Sequence, residues 1–177
     1  MYLIKMGKGG GKMRKMLLMP FILCMMFLPM LSMPVYAKPP ISSIEASGTW
    51  KYIPRIIKMW NHGFIGDEVA TWTGTFEGES YDTFLVWFGR SGIEGDWYVV
   101  GKIYFEGMVN GKFGSLVILF IGERPAGGEW YGHWMILRGR GDLANIRGHG
   151  IWWGPGAPGP GVEGPLEYLG TIYFIHC

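Results

Sequence analysis

Residues 97–121 read WYVVGKIYFEGMVNGKFGSLVILFI. Two β-type runs flank Asn110-Gly111, the dipeptide best suited to a two-residue hairpin turn with both central residues at positive φ. In the first run Phe105 and Glu106 fall on opposite faces of a period-2 strand. The second contains an unbroken apolar stretch from Leu116 to Ile121. Such a stretch belongs to a strand buried on both faces, or to one whose outer face covers an apolar interface. The pair predicts an antiparallel hairpin.

The same grammar extends outward. Runs with period 2, bounded by Gly, Pro, Asn or Asp, occupy residues 48–58, 68–78, 81–88, 97–108, 112–121, 129–137, 146–153 and 165–176. No stretch shows a clean helical period of 3.6. The chain is therefore expected to be all-β, an eight-stranded antiparallel β-barrel, with a β-sandwich as the alternative. Closure into a barrel removes the edges that would otherwise aggregate. A barrel of eight strands is filled by side chains or holds one small ligand. In the run 68–78, Trp72 and Phe76 oppose Thr71, Thr73, Thr75 and Glu77, and the aromatic row is expected to face the axis. Residues 154–161, GPGAPGPG, are too short for a collagen helix and predict an extended, mobile loop.

Residues 1–37 differ from the rest. Lys5, Lys8, Lys12, Arg14 and Lys15 precede an apolar run to Met33, and Pro34-Val35-Tyr36-Ala37 fits a signal-peptidase site. The expected organisation is a signal peptide over 1–37, a linker over 38–47 and a β-barrel over 48–177, with the product secreted. The alternative is a protein anchored in the membrane by an uncleaved N-terminal segment. Of the 16 basic residues five lie in the leader, leaving 11 against 14 acids, a net charge of −3. That balance argues against a nucleic-acid partner. With Cys24 in the leader, Cys177 is left unpaired, an inert tail thiol or an intermolecular bridge.

Residues 135–150 carry Gly139, Gly141, Leu143, Gly148 and Gly150 in the order G-x-G-x-L-x-x-x-x-G-x-G. With residues 107–115 and 74–78 in the right order, the mature chain resembles the allene oxide cyclase-like barrels. These include an uncharacterised family of small bacterial proteins and, more distantly, plant dirigent proteins. The resemblance implies an eight-stranded barrel of calycin type with an apolar cavity, and it supplies no activity. On physical grounds alone, residues 141–145 read as a tight turn in which Asp142 accepts from nearby backbone N–H groups.

Several side chains are candidates for function. Trp72, Phe76, Phe105, Phe120 and Met135 are expected to line a cavity. His133, Arg138, Arg140, Arg147 and His149 are placed at one mouth, where Arg would grip a carboxylate in a bidentate fork. The alternative is a set of solvated rim charges paired with Glu77, Glu106 or Asp142. His62, His133, His149 and His176 lack metal-ligand spacing, so no metal and no cofactor is assigned. Glu77, Glu79 and Glu106 are weighed as acid–base groups, and strand parity turns Glu77 and Glu106 away from the aromatic face. Arg140-Gly141-Asp142 is explained by the turn.

Three functions follow. The first is a barrel that binds a small apolar or amphipathic molecule. The second is an isomerase or cyclase with a buried carboxylate or histidine. The third is a filled barrel acting through its surface as a homo-oligomer. No catalytic residue is assigned.

Overall fold

Alternation of side chains decides how each run is used. A period-2 strand with one aromatic face buries that face, and eight such strands bury it by closing on themselves. A computed structural model of the chain describes residues 42–175. Residues 1–41, on which the expected signal peptide falls, and His176 and Cys177 lie outside the described residues.

The strands are β1 Ser43–Trp60, β2 Gly63–Gly74, β3 Phe76–Phe88, β4 Trp97–Val109, β5 Lys112–Arg124, β6 Trp130–Gly141, β7 Ile146–Gly154 and β8 Gly164–Phe174. They form a closed antiparallel barrel in sequence order, β1 pairing with both β2 and β8. The β-sandwich is excluded. Asn110 (φ 50°) and Gly111 (φ 76°) make the expected hairpin turn between β4 and β5.

The strand boundaries differ from the sequence reading most at two places. The run 68–78 is not one strand, because the chain reverses at Gly74-Thr75. Gly74 sits at φ 102°, and a Cβ there would lie 2.3 Å from the Ser47 carbonyl oxygen. Thr75 is clamped to β1, its hydroxyl accepting from Ser47 N at 3.0 Å and its own N–H donating to Ser47 O at 2.9 Å. The second difference is at the linker. Ser43 to Ser47 belong to β1 and pair with Tyr173 to Leu169.

The barrel has two unlike ends. At one, the glycine-rich turn between β6 and β7 swings Leu143 inward, and Leu143, Ile146, Val109 and Ile172 are fully buried. The turn is held by Asp142 N–H to Phe113 O at 3.1 Å and Leu143 N–H to Arg140 O at 3.3 Å. The other end gathers the turn after β1 and the loops after β3, β5 and β7. There two hydrogen bonds tie the Pro-Gly loop to β1. Ala157 N–H donates to the Tyr52 hydroxyl and Gly161 N–H to Pro54 O, each at 2.8 Å.

The apolar run of β5 is buried on one face only. Leu116, Ile118 and Phe120 point inward, while Val117 and Leu119 are half-buried and Ile121 is exposed.

Candidate functional site

The inner faces of the strands divide the barrel into a packed half and a hollow half. Near the plugged end Trp72, Phe76, Phe105 and Tyr168 form a continuous cluster. The Trp72–Phe76 centroid distance is 5.9 Å and the Phe76–Phe105 distance 5.8 Å. Tyr168 hydroxyl accepts from Phe76 N–H at 2.9 Å and donates to Thr73 O at 3.2 Å.

Toward the open end the barrel widens into a cavity of about 390 Å³. This is near the small end of small-molecule pockets, roughly 300–1,000 Å³. Trp50, Phe64, Phe84, Trp97, Phe120 and Trp152 form its walls, and residues 157–160 overhang its mouth. The rings brace one another edge-to-face, Phe64 against Phe84 at 6.1 Å and Phe120 against Trp152 at 6.1 Å. Glycines on adjacent strands make space for them. A Cβ on Gly101 would meet the Phe120 ring at 2.4 Å, and one on Gly122 the Trp152 ring at 2.3 Å.

Two acids stand inside this aromatic barrel. Glu68 on β2 and Asp82 on β3 are directly opposite each other in register and both face inward. Glu68 lines the cavity. Asp82, fully buried, lies behind it. Loss of hydration pushes the Glu68 carboxyl well above the usual range, and the neighbouring Asp82 adds to the shift. Burial also raises Asp82, to about 7, against the smaller pull of Ser80, Glu68 and the Tyr104 N–H. Those three stand near Asp82, yet neither of its oxygens has a partner in hydrogen-bonding geometry. Ser80 Oγ accepts from Trp72 Nε1 at 2.9 Å, which leaves its own O–H free to turn toward Asp82. The two carboxyls face each other across the strand pair and titrate together, burial favouring retention of a proton between them. Trp50 Nε1, another cavity-lining group, is also buried without a partner. Tyr52 completes the polar set, its hydroxyl raised to about 12 by burial and by Glu68.

The neighbour of Glu68 shows how far strand parity matters. Asp67 points to the outer face, where Arg55 Nε and Nη2 bind its two oxygens at 2.8 and 2.5 Å and Tyr81 hydroxyl donates at 2.9 Å. The guanidinium holds the Asp67 carboxyl below its ordinary value. Adjacent acids on one strand are thus driven in opposite directions.

The sequence-assigned residues scatter. Trp72, Phe76 and Phe105 face inward, in the packed half, and Phe120 lies on the cavity wall. Met135 is a correction. It is 47 % exposed on the outer face, because Trp134 and Ile136 take the inward positions of β6. His133 and His149 also face outward, paired with Ile151 and Met135 respectively. Arg138 and Arg140 are exposed near the plugged end, and Arg147 is half-buried with Nη1 donating to Ile146 O at 2.7 Å. The expected cationic mouth is therefore not assembled, nor are its ion pairs with Glu77, Glu106 or Asp142 formed. The one cation lining the cavity is Arg124, which lies over the Trp97 ring at 5.5 Å and donates from Nε to Gly128 O at 3.1 Å. Glu77, Glu79 and Glu106 are all exposed. Among the described residues no three His, Cys, Asp or Glu side chains converge.

Glu68 and Asp82 were missed, although parity marks them. Glu68 shares its face with Phe64, Ala70 and Trp72, and Asp82 shares its face with Phe84, Val86 and Phe88.

No family model matches the chain, and no curated protein does. Among solved structures, the chain is similar to a protein of unknown function from the DUF3224 family of Shewanella oneidensis MR-1. The TM-score is 0.54 and the identity 17 %, over 78 % of this chain and 100 % of that one. The likeness is one of fold.

Proposed function

We propose that the barrel binds one small apolar or amphipathic molecule in its open half. The observation that carries this reading is the cavity of about 390 Å³ walled by aromatic rings and closed below by the packed cluster. A hollow of this size, open at its mouth, leaves ring faces without close-packed neighbours, and an apolar guest supplies those dispersion contacts. The leader pattern of residues 1–37 supports export, so that the barrel works as a secreted binding protein. The glycine pattern supports placing it with the allene oxide cyclase-like barrels.

The test is a titration with a neutral naphthyl dye, read by dye emission and by quenching of the cavity tryptophans. Saturable one-to-one binding is expected. Binding only at the non-saturable level seen with an unrelated soluble protein defeats the reading.

A second reading, an isomerase, is favoured by one observation. Glu68 lines an apolar cavity, and burial with Asp82 beside it raises its carboxyl well above the usual range, toward what a general acid needs. A buried pair of unlike carboxyls is a common way of moving a proton at pH 7.

A further inference from the structure

The barrel buries two opposed acids and gives neither a cationic partner. Two ion pairs form among the described residues, Lys51–Glu163 and Arg55–Asp67, and both lie on the outside. Glu68 and Asp82 take part in neither. Opposed like charges across a strand pair are unfavourable, and burial makes them more so. Once pH exceeds the first ionisation of the pair, one negative charge is trapped among rings.

The groups facing that charge are few. Asp82 comes from β3, Tyr52 from β1, Tyr168 from β8 and Arg124 from the rim end of β5. The inward faces of β4, β6 and β7 carry aromatic, aliphatic and glycine residues only. Tyr168 is engaged with Phe76 and Thr73, and Arg124 with Trp97 and Gly128. The missing element is a cation, and the surrounding indole and phenyl faces attract cations.

We propose, building on the cavity reading above, that the occupant is an apolar molecule carrying one protonated amine, its nitrogen against Glu68 and its body among Phe64, Phe84 and Trp152. An ammonium donates N–H to the Glu68 carboxylate, neutralises the pair and presents charge to the ring faces. An alcohol of the same skeleton keeps the apolar contacts and leaves the charge uncompensated. A carboxylate adds a second negative charge. The order of affinity is amine, alcohol, carboxylate.

The experiment uses phenylbutylamine, phenylbutanol and phenylbutanoate, titrated into the full protein and followed by tryptophan fluorescence and calorimetry. At pH 8 the amine binds at least ~tenfold tighter than the alcohol, the equivalent of one unit of proton linkage. Below the ionisation of the pair the amine must expel a proton, so its affinity falls ~tenfold per pH unit. The amine itself stays charged throughout, its pKa being roughly that of lysine, about 10.4. The alcohol shows no such dependence. In Glu68→Gln, checked for folding by near-ultraviolet circular dichroism, the amine-to-alcohol ratio drops toward one, whereas Asp82→Asn keeps the Glu68 carboxyl and with it the preference for the amine. Equal affinity of amine and alcohol in the unmodified protein overturns the amine inference and leaves the cavity reading standing. A preference that survives in folded Glu68→Gln also overturns it. Absence of binding by all three probes removes both.

Discussion

Replacing Asp82 by Asn tests the buried pair through stability. The Asp82 carboxyl is raised from 3.8 to about 7 in the folded protein. A raised acid binds its proton more tightly when folded, so its contribution to stability is complete below the unfolded value and is lost as pH climbs through the folded one. The shift spans about three pH units, each worth ~1.4 kcal/mol, or about 4 kcal/mol between pH 4 and pH 8. Asp82→Asn removes that share and also relieves the part of the Glu68 shift that Asp82 causes, leaving only the burial of Glu68. The buried amide carries its own desolvation cost, but this is the same at every pH and cancels in the comparison. The assay is thermal unfolding by tryptophan fluorescence from pH 4 to pH 8, with Tm recorded for both proteins. Relative to the parent, the variant gains roughly 10–15 °C between the two ends of the range, at ~3–4 °C per kcal/mol for a domain of this size. Two parallel curves of Tm against pH refute the assignment of Asp82 as a buried, proton-linked group.

Three further outcomes follow from the same geometry. Gly122→Ala drives a Cβ into the Trp152 ring, which it would meet at 2.3 Å. Urea unfolding should show a loss of ~1–3 kcal/mol, as for overpacking elsewhere. Tyr52→Phe deletes the acceptor for the Ala157 N–H. It should cost ~1 kcal/mol and speed hydrogen exchange at Ala157. Val86→Trp fills the cavity from β3, where Val86 is 2 % exposed on the lining. The fold should persist by circular dichroism while binding of the neutral dye is lost.

Much of the fold was legible because period 2 is a strong signal when one face is aromatic. Residues 97–121 show this best, with strand, Asn-Gly turn and strand all found where expected. The reversal at Gly74-Thr75 was hidden because Thr71, Thr73 and Thr75 continue the alternation across the turn. Its determinant is non-local, the clamp of Thr75 onto Ser47. Met135 was misplaced for a different reason. Both faces of β6 are apolar, Trp134 and Ile136 against Met135 and Leu137, so polarity does not choose between them. The hollow half could not be told from the packed half, since both are lined by the same kinds of ring. What separates them is the inward swing of Leu143 at one end and the Pro-Gly loop over the other. The acids at 67 and 68 were readable in principle. An acid in phase with Phe64 and Trp72 must face the axis, whereas its neighbour must face Arg55.

The central claim is a hollow barrel half that admits one small apolar guest. Crystals soaked with a bromophenyl alcohol test it directly through the anomalous signal of bromine. The account predicts a single strong peak between Phe64, Phe84, Phe120 and Trp152, and its absence in Val86→Trp. Bromine found only on the outer surface, with the aromatic rings collapsed together inside, would contradict it.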